Sequence, residues 1–332
     1  MFDMDVESGS SHNRHLVEVT QVHLASSRSG VRYSFSGHES FPFRYGWLAK
    51  GVQHALEDRR VFSRDEATII LGVGKNMVRS IKHWCSAIGL LNNSHPGCVE
   101  VTELGRLLFA KDGCDPYLED VGTLWLLHWL LVRDGQNTST WHLAFTRFGQ
   151  SSFTRQQLVE YLLDTARTEA PMTRVTEASM KRDVDVFVRT YAPSAVIRSA
   201  AAIEESYDCP LVELGLLEEY YPGVFTFCMG NHPALPQAVL AFAIADYWAM
   251  SRNEQNVLSI EDILYLQGAP GAAFKLTENA LVERLERLPD WTGMRFDETA
   301  GRRMLIRSNS GATTVRSPID ILLRYYDSEG EL

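Results

Sequence analysis

The chain has 332 residues, 45% of them hydrophobic and 22% charged, which is enough apolar material for a real core and excludes a disordered chain. Its 42 acidic residues outnumber 32 basic ones, giving a formal charge of −10, so it does not coat nucleic acid over its whole surface, although a local basic face is allowed. No apolar run reaches the roughly 18 to 20 residues of a membrane-spanning helix; Val121–Val132 comes nearest and His128 interrupts it.

Residues 1–32 are rich in Ser, His and charge and lack the apolar centre of a secretory signal. They read as a mobile tail or one peripheral strand, on a protein expected to stay in the cytoplasm. The densest polar motif follows, from Phe35 through Gly37-His38-Glu39-Ser40 and Phe43-Arg44-Tyr45 to Trp47 and Lys50. Two readings of it stay open. A phosphodiester-cleaving site needs a carboxylate to hold Mg2+ or Mn2+, a base to activate water and cations to stabilise the transition state, and His38, Glu39, Arg44 and Lys50 supply those parts with Glu39 on the metal. Alternatively, His38, Glu39 and the nearby arginine form a salt-bridged clasp that fixes this segment against the helices after it.

Between Arg44 and Leu90 eight basic residues face four acidic ones. Ser63 and Glu66 have capping-box spacing and predict a short helix ending near Leu71, followed by a turn at Gly72-Val73-Gly74. A second helix from Lys75 to Ile88 sets Met77, Ile81, Trp84 and Ile88 on its apolar face and Lys75, Asn76, Arg79, Lys82 and His83 elsewhere. Leu90 and Leu91, a turn over 92–97 and Cys98–Val101 make a hairpin, and Thr102 caps the next helix. The set reads as a winged helix-turn-helix, whose second helix presents donors to phosphates and base edges of double-stranded DNA. Its bland alternative is a helical pair with a solvated face.

Asp115-Pro116 predicts the start of a buried helix running through Leu118, Leu124, Trp125, Leu127, Leu130 and Leu131, so the acidic group Asp115, Glu119 and Asp120 is explained by capping and the helix dipole. Further helices are expected over 154–165, 179–191 and 235–250. From Gln157 to Asp262 sixteen acidic residues face seven basic ones. In Lys181-Arg182-Asp183-Val184-Asp185 the two carboxylates do not share a helix face, which makes a poor metal pair and points to a structural network. Near the C-terminus, Ser259 with Asp262 opens a helix, Thr277 begins another, and Trp291–Phe296 with Met304–Ile306 form a second candidate wing bearing Arg302 and Arg303 at its tip.

The expected architecture is mainly α with small β-hairpin wings: a tail over 1–32, the motif segment plus winged helix over 33–112, an acidic helical domain over 113–255 and a winged-helix-like module over 256–332. Five cysteines without a C-x-x-C pair fit neither a disulfide framework nor a zinc knuckle. Gly72-Val73-Gly74-Lys75-Asn76 lacks P-loop spacing and hydroxyl, and there is no G-x-S-x-G, H-E-x-x-H or dinucleotide fingerprint.

The stretch Phe35–Gly51, the turn from Leu71 to Arg79, the run from Asp115 to Trp129 and Lys181–Asp185 together resemble an uncharacterised-domain family found in bacterial DNA phosphorothioation and phage-defence gene clusters. The match runs over most of the chain. It implies a DNA-binding protein that nicks one strand of duplex DNA to permit sulfur incorporation, working with a cysteine desulfurase, an ATP-using sulfur-transfer enzyme and an ATPase. His38 and Glu39 lie in its densest matching motif, and Arg79 and Lys82 on the matching helix. A noncatalytic adaptor that recruits the sulfur-transfer machinery, or a transcription regulator, is the alternative, since a winged helix alone does not state its purpose.

Overall fold

A computed structural model describes residues 32–193, 209–299, 301–307 and 317–329, so the expected tail lies almost wholly outside the described residues. Among the described residues the protein is mainly helical, with one two-stranded and two three-stranded antiparallel sheets. Extended chain from Tyr33 leads into α1 (Trp47–Glu57), which buries Trp47, Leu48, Val52 and Ala55. A 3-10 turn (Val61–Ser63) precedes the short α2 (Ala67–Leu71), then α3 (Lys75–Ala87), the hairpin β1 (Leu91–His95) and β2 (Cys98–Val101), and α4 (Glu103–Phe109), capped by the Thr102 hydroxyl as its sequence predicts. Gly72, in the left-handed region at φ 63, closes α2 and lets the chain reverse into α3.

Two expected helix starts are corrected. Ser63 does not cap a helix: its hydroxyl donates to the Gly97 carbonyl in the hairpin turn, 2.8 Å away, and α2 begins later without a side-chain cap. A tertiary partner outcompetes the local box. Likewise Asp115-Pro116 does not open the central helix, because the Asp115 carboxylate accepts from the Glu119 and Asp120 amides and folds 115–120 into a turn, with Leu118 at φ 57. The helix α5 (Val121–Val132) starts instead at Asp120, whose Oδ1 accepts from Gly122 N at 2.7 Å.

Every residue of α5 from Gly122 to Val132 is buried, so this helix is apolar on all sides and sits at the centre. Within it His128 is satisfied by the Tyr191 hydroxyl on Nδ1 and the Ala273 carbonyl on Nε2, and burial pushes its pKa down to about 3. On α5 pack α6 (Ser139–Thr146) and the 3-10 turn Pro210–Leu214, and α8 (Glu177–Tyr191) reaches it through Tyr191; α7 (Arg155–Glu169) packs on α8 and on β3 (Ser152–Thr154), which forms a sheet with β4 (Leu217–Tyr221) and β5 (Val224–Phe227), β5 being central. Both α7 and α8 open on capping boxes, Thr154 with Gln157 and Thr176 with Ser179.

After α9 (Gln237–Ser251) come β6 (Val257–Ser259), α10 (Ile260–Leu264), α11 (Pro270–Ala273), α12 (Glu278–Glu286), the hairpin β7 (Met294–Thr299) and β8 (Arg302–Arg307), and α13 (Pro318–Glu329), which packs on α9. β6 adds to β8, making a third sheet in the order β6-β8-β7. The Ser259–Asp262 capping box forms as expected. Most buried side chains between Tyr33 and Leu322 form one cluster, while Ala67, Leu71 and Val78 form a small separate one where α2 meets α3. No helix among the described residues is long and apolar enough to cross a membrane.

Candidate nucleic-acid interface

The amphipathic division of α3 positions the first set of residues. Val78, Ile81, Trp84 and Cys85 are buried, whereas Lys75, Asn76 and Arg79 are exposed and Lys82 half-buried. Because Gly74 caps α3 with no side chain, the first-turn N–H groups and the positive end of the helix dipole face outward beside Lys75 and Asn76. In the same segment a cleft of about 510 Å3 runs between the 3-10 turn and the hairpin tip, lined by Arg60, Ser63, Arg64, Pro96 and Gly97. Arg64 pairs with Asp58, and Arg59 with Glu100 at 2.7 Å, while Arg60 is exposed. Sequence reasoning counted Arg60 and Arg64 in the basic segment without placing them; Pro96-Gly97 was the available signal, since it marks where a hairpin tip turns back.

Other residues read as DNA contacts are engaged elsewhere. Lys50 Nζ donates to the Leu71 carbonyl at 2.9 Å, tying α1 to the end of α2. Arg44 lies over the Trp47 ring, 5.7 Å from its centroid. His83 has its ring edge-on to Trp84 and against Gly37, and burial, aided by nearby His38, pushes its pKa down to about 4. His83 is therefore half-buried against the motif segment and uncharged near neutrality. At the other end of the chain Arg303 is held by Glu278 and Glu298, and Arg302 is exposed at the start of β8.

Segment 36–41 is the most unusual stretch of backbone. Ser36, Gly37, Glu39 and Ser40 all have positive φ, at 69, 100, 50 and 66. Three non-glycine residues in this region store strain that the surroundings must hold, and several contacts do so. The Ser40 amide donates to His38 Nδ1, which leaves Nε2 as the protonated nitrogen, and Nε2 donates to Asp183 Oδ1 at 2.6 Å. Asp183 also accepts from the Ser36 amide at 2.6 Å and from the Thr140 hydroxyl. On the α3 side, Ser80 donates to the His38 carbonyl and Trp84 Nε1 to the Phe41 carbonyl, while the His38 ring stacks on Trp84. The segment is thus clasped between α3 and α8. Asp183 is the anchor that sequence reasoning assigned only to a general network.

His38 and Glu39, adjacent in sequence, diverge. His38 is 1% exposed, whereas the Glu39 carboxylate points to the Arg79 guanidinium, 3.6 Å away. Glu39 and Arg79 are therefore brought together, and His38 faces the interior. Mg2+ and Mn2+ ask for several oxygen ligands. Glu39 offers one carboxylate already facing a cation, and among the described residues no group of three or more His, Cys, Asp or Glu side chains is placed to hold a metal ion. The donor set at this motif does not fit such an ion.

Sequence and fold together define the class. Residues 35–326 match the family model described as a protein of unknown function, DUF4007, and the chain belongs to that family. Among solved structures it is similar to the crystal structure of SspB, with 32% sequence identity, 90% of this chain and 89% of that one covered, and a TM-score of 0.78. A magnesium-ion-bound crystal structure of SspB matches at the same identity and coverage with a TM-score of 0.79. No curated protein matches the chain.

Proposed function

We propose that this chain is a DNA-binding protein of a bacterial DNA phosphorothioation and phage-defence system, and that residues 33–112 are its grip on duplex DNA. In this reading α2, the Gly72–Gly74 turn and α3 are a helix-turn-helix with β1 and β2 as the wing, and α3 enters the major groove. The observation that carries it is the split of α3 into a buried face of Val78, Ile81 and Trp84 and an outward face of Lys75, Asn76, Arg79 and Lys82. Similarity to SspB supports the system, in which a cysteine desulfurase, an ATP-using sulfur-transfer enzyme and an ATPase are the partners. The acidic middle of the chain is the surface offered to them.

A second reading adds nicking of one strand to permit sulfur incorporation, with His38 and Glu39 as the catalytic pair and Mg2+ or Mn2+ as the ion. The magnesium ion in one SspB structure favours it. The divergence of His38 and Glu39 favours the noncatalytic adaptor. Supercoiled plasmid incubated with the protein and Mg2+, Mn2+ or chelator, beside a gel shift and a Glu39→Ala control, separates the two. A shift with the plasmid left supercoiled supports the adaptor. Open-circle product that needs metal and disappears in Glu39→Ala supports nicking, and neither shift nor relaxation contradicts both.

A further inference from the structure

Away from α3, a second cleft opens between the end of α6, strand β5 and the loop carrying α11. It has a volume of about 390 Å3, within the size range of small-ligand sites, and Phe145, Gln150, Ser151, Phe227, Tyr265 and Lys275 are among the residues that line it. Tyr265 is 64% exposed, an aromatic ring left at the edge of the cleft. Gln150 and Ser151 add neutral hydrogen-bonding groups to a largely apolar lining.

Lys275 is the group that calls for an explanation. It sits at φ 52, a conformation that a non-glycine residue adopts only when its surroundings hold it there. Its Nζ donates to the Phe145 carbonyl at 2.7 Å and lies 4.1 Å from the Phe227 ring centroid. Among the described residues no carboxylate forms an ion pair with it, and the nearby Arg147 is already held by Glu169 through two hydrogen bonds. A buried amine is ordinarily paired, and burial here lowers its pKa to about 7. The fold therefore places an amine beside the Phe145 and Phe227 rings with no carboxylate paired to it among the described residues.

We propose that this cleft binds a nucleotide, with the heteroaromatic ring against the exposed Tyr265, its edge at Gln150 and Ser151, and the phosphate at Lys275. The exposed Tyr265 ring offers a stacking face, the neutral polar groups suit the edge of a base, and the Lys275 amine takes one anionic group. A free mononucleotide and the unstacked end of a DNA strand present the same chemistry. The site is separate from α3, so failure of duplex binding would leave this inference standing, and the reverse holds as well.

The test uses the full chain and calorimetric titration with 5′-dAMP, deoxyadenosine, inorganic phosphate and the tetranucleotide (dA)4. The expected result is saturable binding of 5′-dAMP or (dA)4, with deoxyadenosine and phosphate each weaker by about tenfold or more, and loss of about tenfold in Lys275→Met. Binding by 5′-dAMP assigns a free nucleotide, whereas binding by (dA)4 alone assigns a DNA strand. Absence of saturable binding by both would overturn the inference, as would equal affinity for 5′-dAMP and deoxyadenosine. If Lys275→Met does not fold, Tyr265→Ala decides, because its side chain is at the surface: weakened binding supports the site and unchanged binding overturns it.

Discussion

His38 and Asp183 stand 145 positions apart and meet at 2.6 Å through Nε2 and Oδ1, both side chains almost fully buried. That contact fastens the strained segment 36–41 to α8, while Ser80 and Trp84 fasten the same segment to α3. The orientation of the outward face of α3 thus rests on a clasp formed by the N-terminal motif.

Asp183→Ala leaves the buried His38 Nε2–H and Thr140 hydroxyl, and the partly buried Ser36 amide, without their acceptor. Each such orphaned donor is destabilising, so the variant loses about 3 kcal/mol or more, a fall in melting temperature on the order of 5–10 °C. Thermal unfolding followed by circular dichroism checks this. A melting temperature equal to that of the wild type would show that the clasp contributes nothing.

Gly37 combines φ 100 with a side chain position that would lie 2.6 Å from His83 Nδ1. Gly37→Ala is therefore expected to destabilise by about 2 kcal/mol through backbone strain and this clash. Adding His83→Ala removes the clash but not the strain, so in a double-mutant cycle of urea unfolding the double variant loses less stability than the two single variants together. Strict additivity would mean that the rings and the segment are not packed as described.

Lys275 has a folded pKa of about 7, lowered by burial, against about 10.4 in an unfolded chain. Between these values the unfolded state binds more protons, so stability gained from this position rises with pH from about 7 to 10, and below 7 the full penalty of burying the amine is felt. Lys275→Met lacks the titration. The stability of the wild type relative to Lys275→Met should increase by on the order of 3 kcal/mol between pH 7 and pH 10 in urea unfolding. A constant difference would place the amine in water.

What was legible in the sequence was whatever a local pattern decides. The apolar spacing that ends at Ile81 and Trp84 revealed α3, and Thr102, Thr154, Ser259 and Thr277 marked real helix starts. Ser63 and Asp115 carried equally good local signals, yet Gly97 and the 119–120 amides claimed their side chains, and no spacing rule sees such partners. The helix α6 escaped because all eight of its residues are buried, leaving no amphipathic period to read. Asp183 was read within its own helix, where its neighbours are charged, so its partner 145 residues upstream stayed hidden. The packing of His83 against the bare backbone of Gly37 was likewise out of reach of helix geometry, since that contact joins residues 46 positions apart.

The central claim is that the outward face of α3 holds DNA through its phosphates. Fluorescence anisotropy with a labelled duplex, repeated across a salt series for the wild type and for Arg79→Ala with Lys82→Ala, measures this directly. Each phosphate contact contributes roughly 0.9 to the slope of log affinity against log salt, so losing two contacts should weaken binding and flatten the slope by about 2. An affinity and slope unchanged in the double variant would contradict the claim and move the DNA-binding surface away from α3.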